Sequence, residues 1–311
     1  MTEANHDVAN QPHLDVEKRH DFILLYDVTG GNPNGDPDNG NAPRTDPETG
    51  QAWVTDMALK RKVRTFIADA YANQEGMAIY VAEGTALNRP LREASQDLDV
   101  KPNAKNKKRN ADDQKKVGAE IAHRYYDVRA FGAVMSTGDN PAGQLCGPIQ
   151  ISCPITSIDP IFPADLTITR VAVTKEEDLA KLDTDEKGGK NREMGSKFTV
   201  PYALLRAEGF FTPSLAQRTG FNTEDLRVFW DALQRMWALD RSASRGMTGC
   251  RGIHIFTHAD RYGSCHPDKL FSRISISRTT DGPVRHFSDY TINVDREGLE
   301  TLGIEYTVLG E

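Results

Sequence analysis

The sequence contains few cysteines, no long apolar run and no excess of positive charge. Four cysteines occur in 311 residues, which is too few for a disulfide-stapled scaffold of this size. No apolar run approaches the roughly 20 residues that a membrane-spanning helix needs. Residues 1–20 are polar and lack the apolar core of a signal peptide. We therefore expect a cytoplasmic protein that has no membrane partner.

The formal net charge of −7 is unusual for a nucleic-acid-binding protein, whose surface is typically basic. The lysines and arginines are nevertheless clustered. The three groups are Lys60, Arg61, Lys62 and Arg64; then Lys101, Lys105, Lys107, Lys108 and Arg109; and finally Arg241, Arg245 and Arg251. Because phosphate binding depends on the local field rather than on the net charge, this distribution is compatible with an RNA-binding surface on one side.

The apolar patterns predict an α+β domain. Strands are expected at 22–28, 124–135, 147–158, 160–173, 198–211 and 253–258. Helices are expected to begin after Thr55 and after Asn222, two residues typical of N-caps. Two helices distributed among antiparallel strands predict a ferredoxin-like sheet with both helices on one face. The other face would be free, as it is in RRM-type RNA-binding domains.

Several blocks of the sequence resemble one protein family. The block DVTGGNPNGDPDNGNAPRTDPETGQAWVTDMALKRKVRTFI, residues 27–67, resembles the N-terminal signature of the backbone subunit of the CRISPR Cascade complex, in its subtype I-C branch. The segments YYDVRAFGAVMSTG (125–138), GPIQIS (147–152) and SRGMTGCRGIHIFTHAD (244–260) follow in the order of that family. The resemblance extends from about residue 20 to about residue 265.

This resemblance implies an RRM-like palm with a helical finger insertion and a β-hairpin thumb. The chain would consist of a flexible N-terminal tail (1–18) and a single palm domain (19–311), interrupted by a finger at 83–124 and a thumb at 156–198. The resemblance also implies a non-catalytic protein that polymerises along CRISPR RNA and presents the guide to target DNA. Its expected partners are the RNA, the DNA paired with the guide, further copies of itself and other Cascade subunits. No cofactor is expected.

The resemblance implies that the start of the helix after Thr55 holds the RNA backbone. Lys60 and Arg64, four residues apart, are expected together on a flank of this helix that leaves the buried face. The resemblance adds Arg44 from the preceding loop, places the region of Met135 against bases, and assigns the thumb a residue that displaces a base. An exposed aromatic residue suits that wedge. The full set of expected RNA contacts is Asn34, Arg44, Lys60, Arg61, Arg64, Met135, Phe162, Arg241, Arg245 and Arg251.

Two groups of potential metal ligands match no established spacing. The loop with Asn34, Asp36 and Asp38 departs from the calcium-binding EF-hand, since Asn39 stands where glycine is required. The second group matches no zinc-binding pattern and consists of Cys250, His254, His258, Cys265 and His266. We expect structural histidines and no metal.

Two other functions remain open from the sequence alone. A ferredoxin-like fold can carry a metal-independent endoribonuclease that processes repeat RNA with a histidine base, for which His123 or His286 would be candidates. The acidic net charge also fits a small-molecule enzyme built on the same sheet. Neither histidine has an evident catalytic partner in the sequence, so RNA binding without catalysis is the expected function.

Overall fold

The computed structural model of the protein describes residues 11–102, 109–136, 140–170, 172, 174–176 and 193–310. The strands are β1 (His20–Gly31), β2 (Gly35–Asp36), β3 (Ala42–Pro43), β4 (Gln51–Val54), β5 (Gly132–Met135), β6 (Gly143–Cys146), β7 (Ile149–Ile151), β8 (Ile155–Pro160), β9 (Ala164–Arg170), β10 (Glu193–Phe211), β11 (Met247–His258), β12 (Ile274–Arg278), β13 (Tyr290–Val294) and β14 (Ile304–Leu309). The helices are α1 (Asp56–Ala70), α2 (Asn88–Asp97), α3 (Ala111–Arg124), α4 (Tyr126–Phe131), α5 (Pro213–Thr219), α6 (Thr223–Arg235) and α7 (Pro267–Phe271). None of these helices is long and apolar enough to cross a membrane.

A large antiparallel sheet forms the centre of this mixed α/β fold. Among the described strands the order is β14–β11–β1–β10–β8–β4, and β7 and β9 pair with other stretches of β10. The central strand β1 pairs with β10 on one side and with β11 on the other. Its consecutive residues Phe22, Ile23, Leu24 and Leu25 are all buried. Such a continuous apolar run is typical of a strand covered on both faces.

Helices α1 and α6 cover one face of the sheet. The Thr55 side chain accepts a hydrogen bond from the amide of Ala58 at the start of α1, and Asn222 forms a capping box with Asp225 at the start of α6. The main apolar core lies between these helices and β1, where Phe22 contacts aromatic rings of α6. The two helices predicted from their N-caps are confirmed.

The second face of the sheet is covered as well, so the prediction of a free face was wrong. Ile23, Leu25, Leu204 and Phe256 pack against a C-terminal layer formed by α7, the β12–β13 hairpin and the turn at Glu300–Leu302. Beyond this layer the chain returns as β14 and pairs with β11. The strand predicted at 253–258 is present within β11, and β14 adds a further strand beside it. Apolar side chains on both faces of β1 require this second cover.

A helical unit is inserted between α1 and β7. Helices α2 and α3 share a separate apolar core with the β5–β6 hairpin, because Met135 and Ala142 belong to the same cluster as Leu91 and Val117. The unit thus continues beyond the boundary expected at 124. Residues 126–131, expected as part of a strand, form helix α4 instead. Buried polar contacts of this helix, described below, account for the difference.

β9 and the start of β10 form an antiparallel hairpin, in which 164–170 pairs with 193–199. The preceding strand β8 pairs with β4 and β10 in the main sheet. The hairpin segment therefore begins after Pro160 rather than at 156, and the part of the expected thumb at 177–192 lies outside the described residues.

Residues 11–18 pack on the domain, which differs from the flexible tail expected at 1–18. Leu14 is buried in the main core, and the Trp230 indole donates a hydrogen bond to the His13 carbonyl at 3.0 Å. Residues 1–10 of that tail lie outside the described residues.

Candidate nucleic-acid interface

Arg61 and Lys62 of the first basic group and Arg241 and Arg245 of the third line one groove. Lys62 of α1 forms an ion pair with Asp240, and the Arg245 guanidinium lies 3.7 Å from the same carboxylate. Lys197 of β10 donates a hydrogen bond to the carbonyl of Ala243 at 3.0 Å. A cavity of about 270 Å³ lies between α1 and residues 236–245. We call Arg61, Lys62, Lys197, Arg241 and Arg245 the basic groove.

Glycine at the end of β1 allows the segment with Arg245 to approach closely. A Cβ atom added to Gly31 would lie 2.0 Å from the backbone carbonyl oxygen of Arg245. Next to it, the Asn32 backbone amide donates a hydrogen bond to the Ser244 carbonyl at 2.7 Å. A side chain at position 31 would therefore displace the segment, and glycine keeps Arg245 in place beside β1.

The cations of α1 differ in their access to solvent. The Arg61 side chain is 69% exposed and pairs with the exposed carboxylate of Glu83 at 2.8 Å. Lys60 and Arg64 are buried, and the Lys60 ammonium binds Asp56 at 2.8 Å. The exposed flank expected for Lys60 and Arg64 is therefore absent, and Arg61 is the more accessible cation.

Arg64 connects α1 to the inserted helical unit. Its Nε donates to the buried carboxylate of Asp127 at 2.8 Å. The same carboxylate accepts hydrogen bonds from the backbone amides of Tyr80 and Val81, at 2.7 and 3.1 Å. These contacts hold α4 against α1 and against the backbone at Tyr80 and Val81. Arg64 thus has a structural role in this conformation.

A second buried ion pair fixes the other side of α4. The Arg129 guanidinium makes two hydrogen bonds to Asp225 of α6, at 2.8 and 2.7 Å. It also donates to the backbone carbonyls of Ala122 and Gly76. Together with Asp127, this residue gives 126–131 helical contacts that an extended strand would not make. The buried charges explain why the predicted strand is a helix.

Of the remaining predicted RNA contacts, Asn34, Arg44 and Arg251 have hydrogen-bonding or ion-pair partners, whereas Arg241 is exposed. The Asn34 side chain accepts a hydrogen bond from the amide of Thr55 at 2.9 Å and so holds the loop to the start of α1. Arg44 pairs with Asp36 at 3.1 Å. Arg251 donates to Asp27 at 2.8 Å. Arg241 is exposed, and within the described ranges of the chain it forms no ion pair.

The two apolar residues predicted to touch RNA have opposite environments. Met135 is 1% exposed and lies in the core of the helical unit, so its side chain offers no surface to a base in this conformation. The neighbouring exposed side chain of β5 is Val134. Phe162, between β8 and β9, is 79% exposed. It has the accessibility that a base-displacing wedge needs.

The second basic group of the sequence contains a structural arginine. The buried Arg109 donates hydrogen bonds to the Pro141 carbonyl at 3.1 Å, to the Ser95 hydroxyl at 3.1 Å and to the Asn140 side chain at 3.0 Å. It links α2 to the segment that precedes β6. Lys105, Lys107 and Lys108 of this group lie outside the described residues.

The histidines of β11 have hydrogen-bonded structural positions. His258 Nδ1 accepts from the amide of Ser264 at 3.0 Å, so Nε2 carries the proton and donates to Asp21 at 2.9 Å. His254 Nδ1 contacts the Tyr306 hydroxyl at 2.6 Å, and burial lowers the pKa of His254 to about 4. In the part of the chain that the structure describes, no three His, Cys, Asp or Glu side chains converge on a metal-sized site.

The two histidines considered as a general base lie apart. His123 lies in the last turn of α3 in the helical unit, whereas His286 lies in the C-terminal layer, where its amide donates to Asp289 at 3.0 Å. They share no site.

Sequence reasoning missed three members or partners of the groove. Lys62 belonged to the first basic group, and its position on α1 facing Asp240 could not be read from that helix alone. Asp240 directly precedes Arg241, so an acidic residue beside the third basic group was a usable signal. Lys197 comes from a distant strand, and no local pattern indicated it.

The protein thus has an α/β fold in which both faces of the sheet are covered. Its basic groove at the end of β1 is suited to anionic ligands. The family model for "CRISPR-associated protein Cas7" matches residues 18–295. A CRISPR-associated protein Cas7 from Haloferax volcanii is 33% identical over 305 residues, which cover 91% of this chain and 82% of that protein. The chain belongs to the CRISPR-associated protein Cas7 family, and the family predicted from the sequence blocks is confirmed.

Two solved chains show a weaker likeness. One, from a "CRISPR RNA-guided surveillance complex, pre-nicking", has a TM-score of 0.45 and 15% identity over 76% of this chain and 78% of that chain. Another, from a "CRISPR RNA-guided surveillance complex", has a TM-score of 0.44 and 16% identity over 76% of this chain and 68% of that chain. These scores are too low to establish a common fold, so membership rests on the sequence matches.

Proposed function

We propose that this chain is a non-catalytic subunit that binds CRISPR RNA, repeated along the guide as the backbone of a type I-C Cascade complex in the cytoplasm. It would present the guide for pairing with target DNA and contact further copies of itself and other Cascade subunits. The observation that carries the proposal is the basic groove in a member of the Cas7 family. Cations of α1 and of residues 241–245 line this groove, and Lys197 contacts the second segment, in a protein of net charge −7.

Phosphates are the ligands that the groove suits best. Arg61 and Arg241 are exposed, and Arg245 lies beside them on a segment held to β1. The exposed pair between Arg61 and Glu83 contributes only about 0–1 kcal/mol to stability. A phosphate can therefore replace that carboxylate at little cost. Contacts of this kind fix the position of a nucleic acid without reading its sequence.

The architecture supports assigning palm, finger and thumb roles. The order β11–β1–β10–β8 with α1 and α6 on one face is compatible with an RRM-like palm. In this assignment the helical unit between α1 and β7 is the finger and the β9–β10 hairpin belongs to the thumb. The exposed Phe162 near the base of the hairpin is the proposed wedge that unstacks a base.

Charge reversal at the groove tests the proposal. The variant with Arg61→Glu and Arg241→Glu should bind single-stranded RNA more weakly, to a similar extent for different sequences. The slope of log affinity against log salt should flatten by about 0.7 for each phosphate that the variant no longer neutralises. Fluorescence anisotropy over a range of salt concentrations measures both effects.

The matched control carries Lys269→Glu and Arg285→Glu, which make the same charge change on exposed residues of the C-terminal layer. Equal weakening in both double variants would contradict a specific groove and indicate general electrostatics. Cleavage of the RNA by the unaltered chain would instead support the metal-independent endoribonuclease.

A further inference from the structure

We propose that Met247 contacts a nucleobase of the bound RNA beside the basic groove. This inference rests on the proposed function, because it concerns the base whose phosphate lies at the groove. It adds an apolar contact to a surface on which the other side chains proposed to contact RNA are cations.

Met247 is an exposed apolar side chain at a structured position. It opens β11, is 76% exposed and pairs across the sheet with Thr29 of β1. Buried methionine usually fills gaps in a core, whereas this side chain fills none. Folding alone therefore gives no reason for an apolar residue here.

The backbone around Met247 is held tightly. Gly246 has a positive φ of 64°, and an added Cβ would lie 2.4 Å from the carbonyl oxygen of Thr29. The next residue, Met247, pairs with Thr29 in the sheet. Met247 thus projects from a fixed sheet end rather than from a loose loop, which reduces the entropy cost of binding a ligand.

The sheet register places Met247 on an open end of a sheet face. Gly249 pairs with Asp27 and Met247 pairs with Thr29, and alternate residues of a strand share a face. Met247 therefore lies on the face that contains Asp27. The C-terminal layer covers this face further along β1, at Ile23 and Leu25, but Thr29 and Met247 are exposed.

Cations flank this open end. Arg245 of the groove precedes Met247 by two residues, across the left-handed Gly246. On the other side Arg251, which is an extra residue at the irregularity between β1 and β11, donates to Asp27. A strand of RNA held by Arg245 through a phosphate would bring a base within reach of the Met247 side chain.

The chemistry of the side chain fits any base. A thioether is polarizable and makes favourable contacts with aromatic rings. Every nucleobase presents a π face, so the contact would tolerate changes of sequence. That tolerance suits a subunit whose guide sequence differs from one RNA to the next.

Removing the bases separates this contact from phosphate binding. The full chain is titrated with a short oligouridylate and with an abasic ribose-phosphate oligomer of the same length. Met247→Ala should weaken binding to the oligouridylate about 2- to 10-fold and leave binding to the abasic oligomer unchanged. Met247→Leu should retain most of the affinity. Tyr262→Ala is the control, since Tyr262 is 79% exposed beyond the other end of β11 and should affect neither ligand.

The outcomes distinguish this inference from the function on which it rests. Unchanged oligouridylate binding by Met247→Ala would overturn the inference, and so would an equal weakening on both oligomers. The proposed function would stand in either case if the groove variant still bound RNA more weakly. If the unaltered chain bound neither oligomer, the proposed function and this inference would fail together.

Discussion

Replacing Arg64 should weaken the fold rather than remove a contact to RNA. Its partner Asp127 is buried and accepts three hydrogen bonds, from Arg64 and from the amides of Tyr80 and Val81. Removing one partner of a buried ion pair costs about 3–5 kcal/mol, because the other charge stays buried without compensation. In Arg64→Ala the two amides still solvate the carboxylate, so we expect stability to fall by about 3 kcal/mol, at the lower end of that range.

The reciprocal variant Asp127→Ala should be more damaging. It leaves the Arg64 guanidinium buried and unpaired, and it leaves the amides of Tyr80 and Val81 without their acceptor. Each unsatisfied amide adds about 1–3 kcal/mol. Stability should therefore fall by at least about 5 kcal/mol, more than in Arg64→Ala. The loss of stability is larger for Asp127→Ala because the Asp127 carboxylate is the acceptor of all three hydrogen bonds, whereas Arg64 donates only one of them.

Urea unfolding followed by circular dichroism measures both changes in stability, and anisotropy measures RNA binding by the folded fraction. Arg61→Ala is the control on the same helix. Since its ion pair is exposed, it should change stability by no more than about 1 kcal/mol while reducing RNA affinity. The reasoning would be refuted if Arg64→Ala unfolded like the unaltered chain and bound RNA as weakly as Arg61→Ala does.

Three further predictions test other parts of the structure. Burial lowers the pKa of His20 to about 3 and that of His254 to about 4, so between pH 6.5 and about 4 the unfolded chain binds protons that the folded chain does not. Stability to urea should fall as the pH drops through this window, by up to about 1.4 kcal/mol per pH unit for each histidine, and an unchanged slope in His254→Gln would contradict this. Gly31→Ala should lower the free energy of unfolding by about 1–3 kcal/mol and reduce RNA affinity, because its Cβ would meet the Arg245 carbonyl. The control Gly195→Ala, whose Cβ would make ordinary contacts at 3.7 Å, should change the free energy of unfolding little. Phe162→Ala should alter stability by less than about 0.5 kcal/mol but reduce cooperative assembly on long RNA in light scattering; normal assembly would argue against the wedge.

Local sequence patterns determined the elements that depend on neighbouring residues. Thr55 and Asn222 marked the starts of α1 and α6, since an N-cap needs only its own side chain and the amides of the next turn. The apolar run of β1 predicted a buried strand for the same local reason. The family was also recognisable from contiguous blocks such as 27–67, because their order of glycine, proline and asparagine is itself the signal.

The apolar run of β1 also indicated that both faces of the sheet are covered, in conflict with the predicted free face. Ile23 and Leu25 alternate with Phe22 and Leu24, so both faces of β1 are apolar and both must be covered. What covers the second face lies far along the chain, at 267–302. Periodicity indicated that a cover was needed but not which segment supplies it.

Only the tertiary structure decided which cations can serve RNA. Arg61 and Arg64 lie on one helix, less than a turn apart, and look equivalent in the sequence. Arg64 is buried because Asp127, 63 residues further along the chain, faces it, whereas Arg61 pairs with an exposed glutamate. Likewise, helix α4 replaces the predicted strand because Asp127 and Arg129 find partners on α1 and α6. Burial and pairing of charge depend on contacts between distant segments, and no local pattern carries that information.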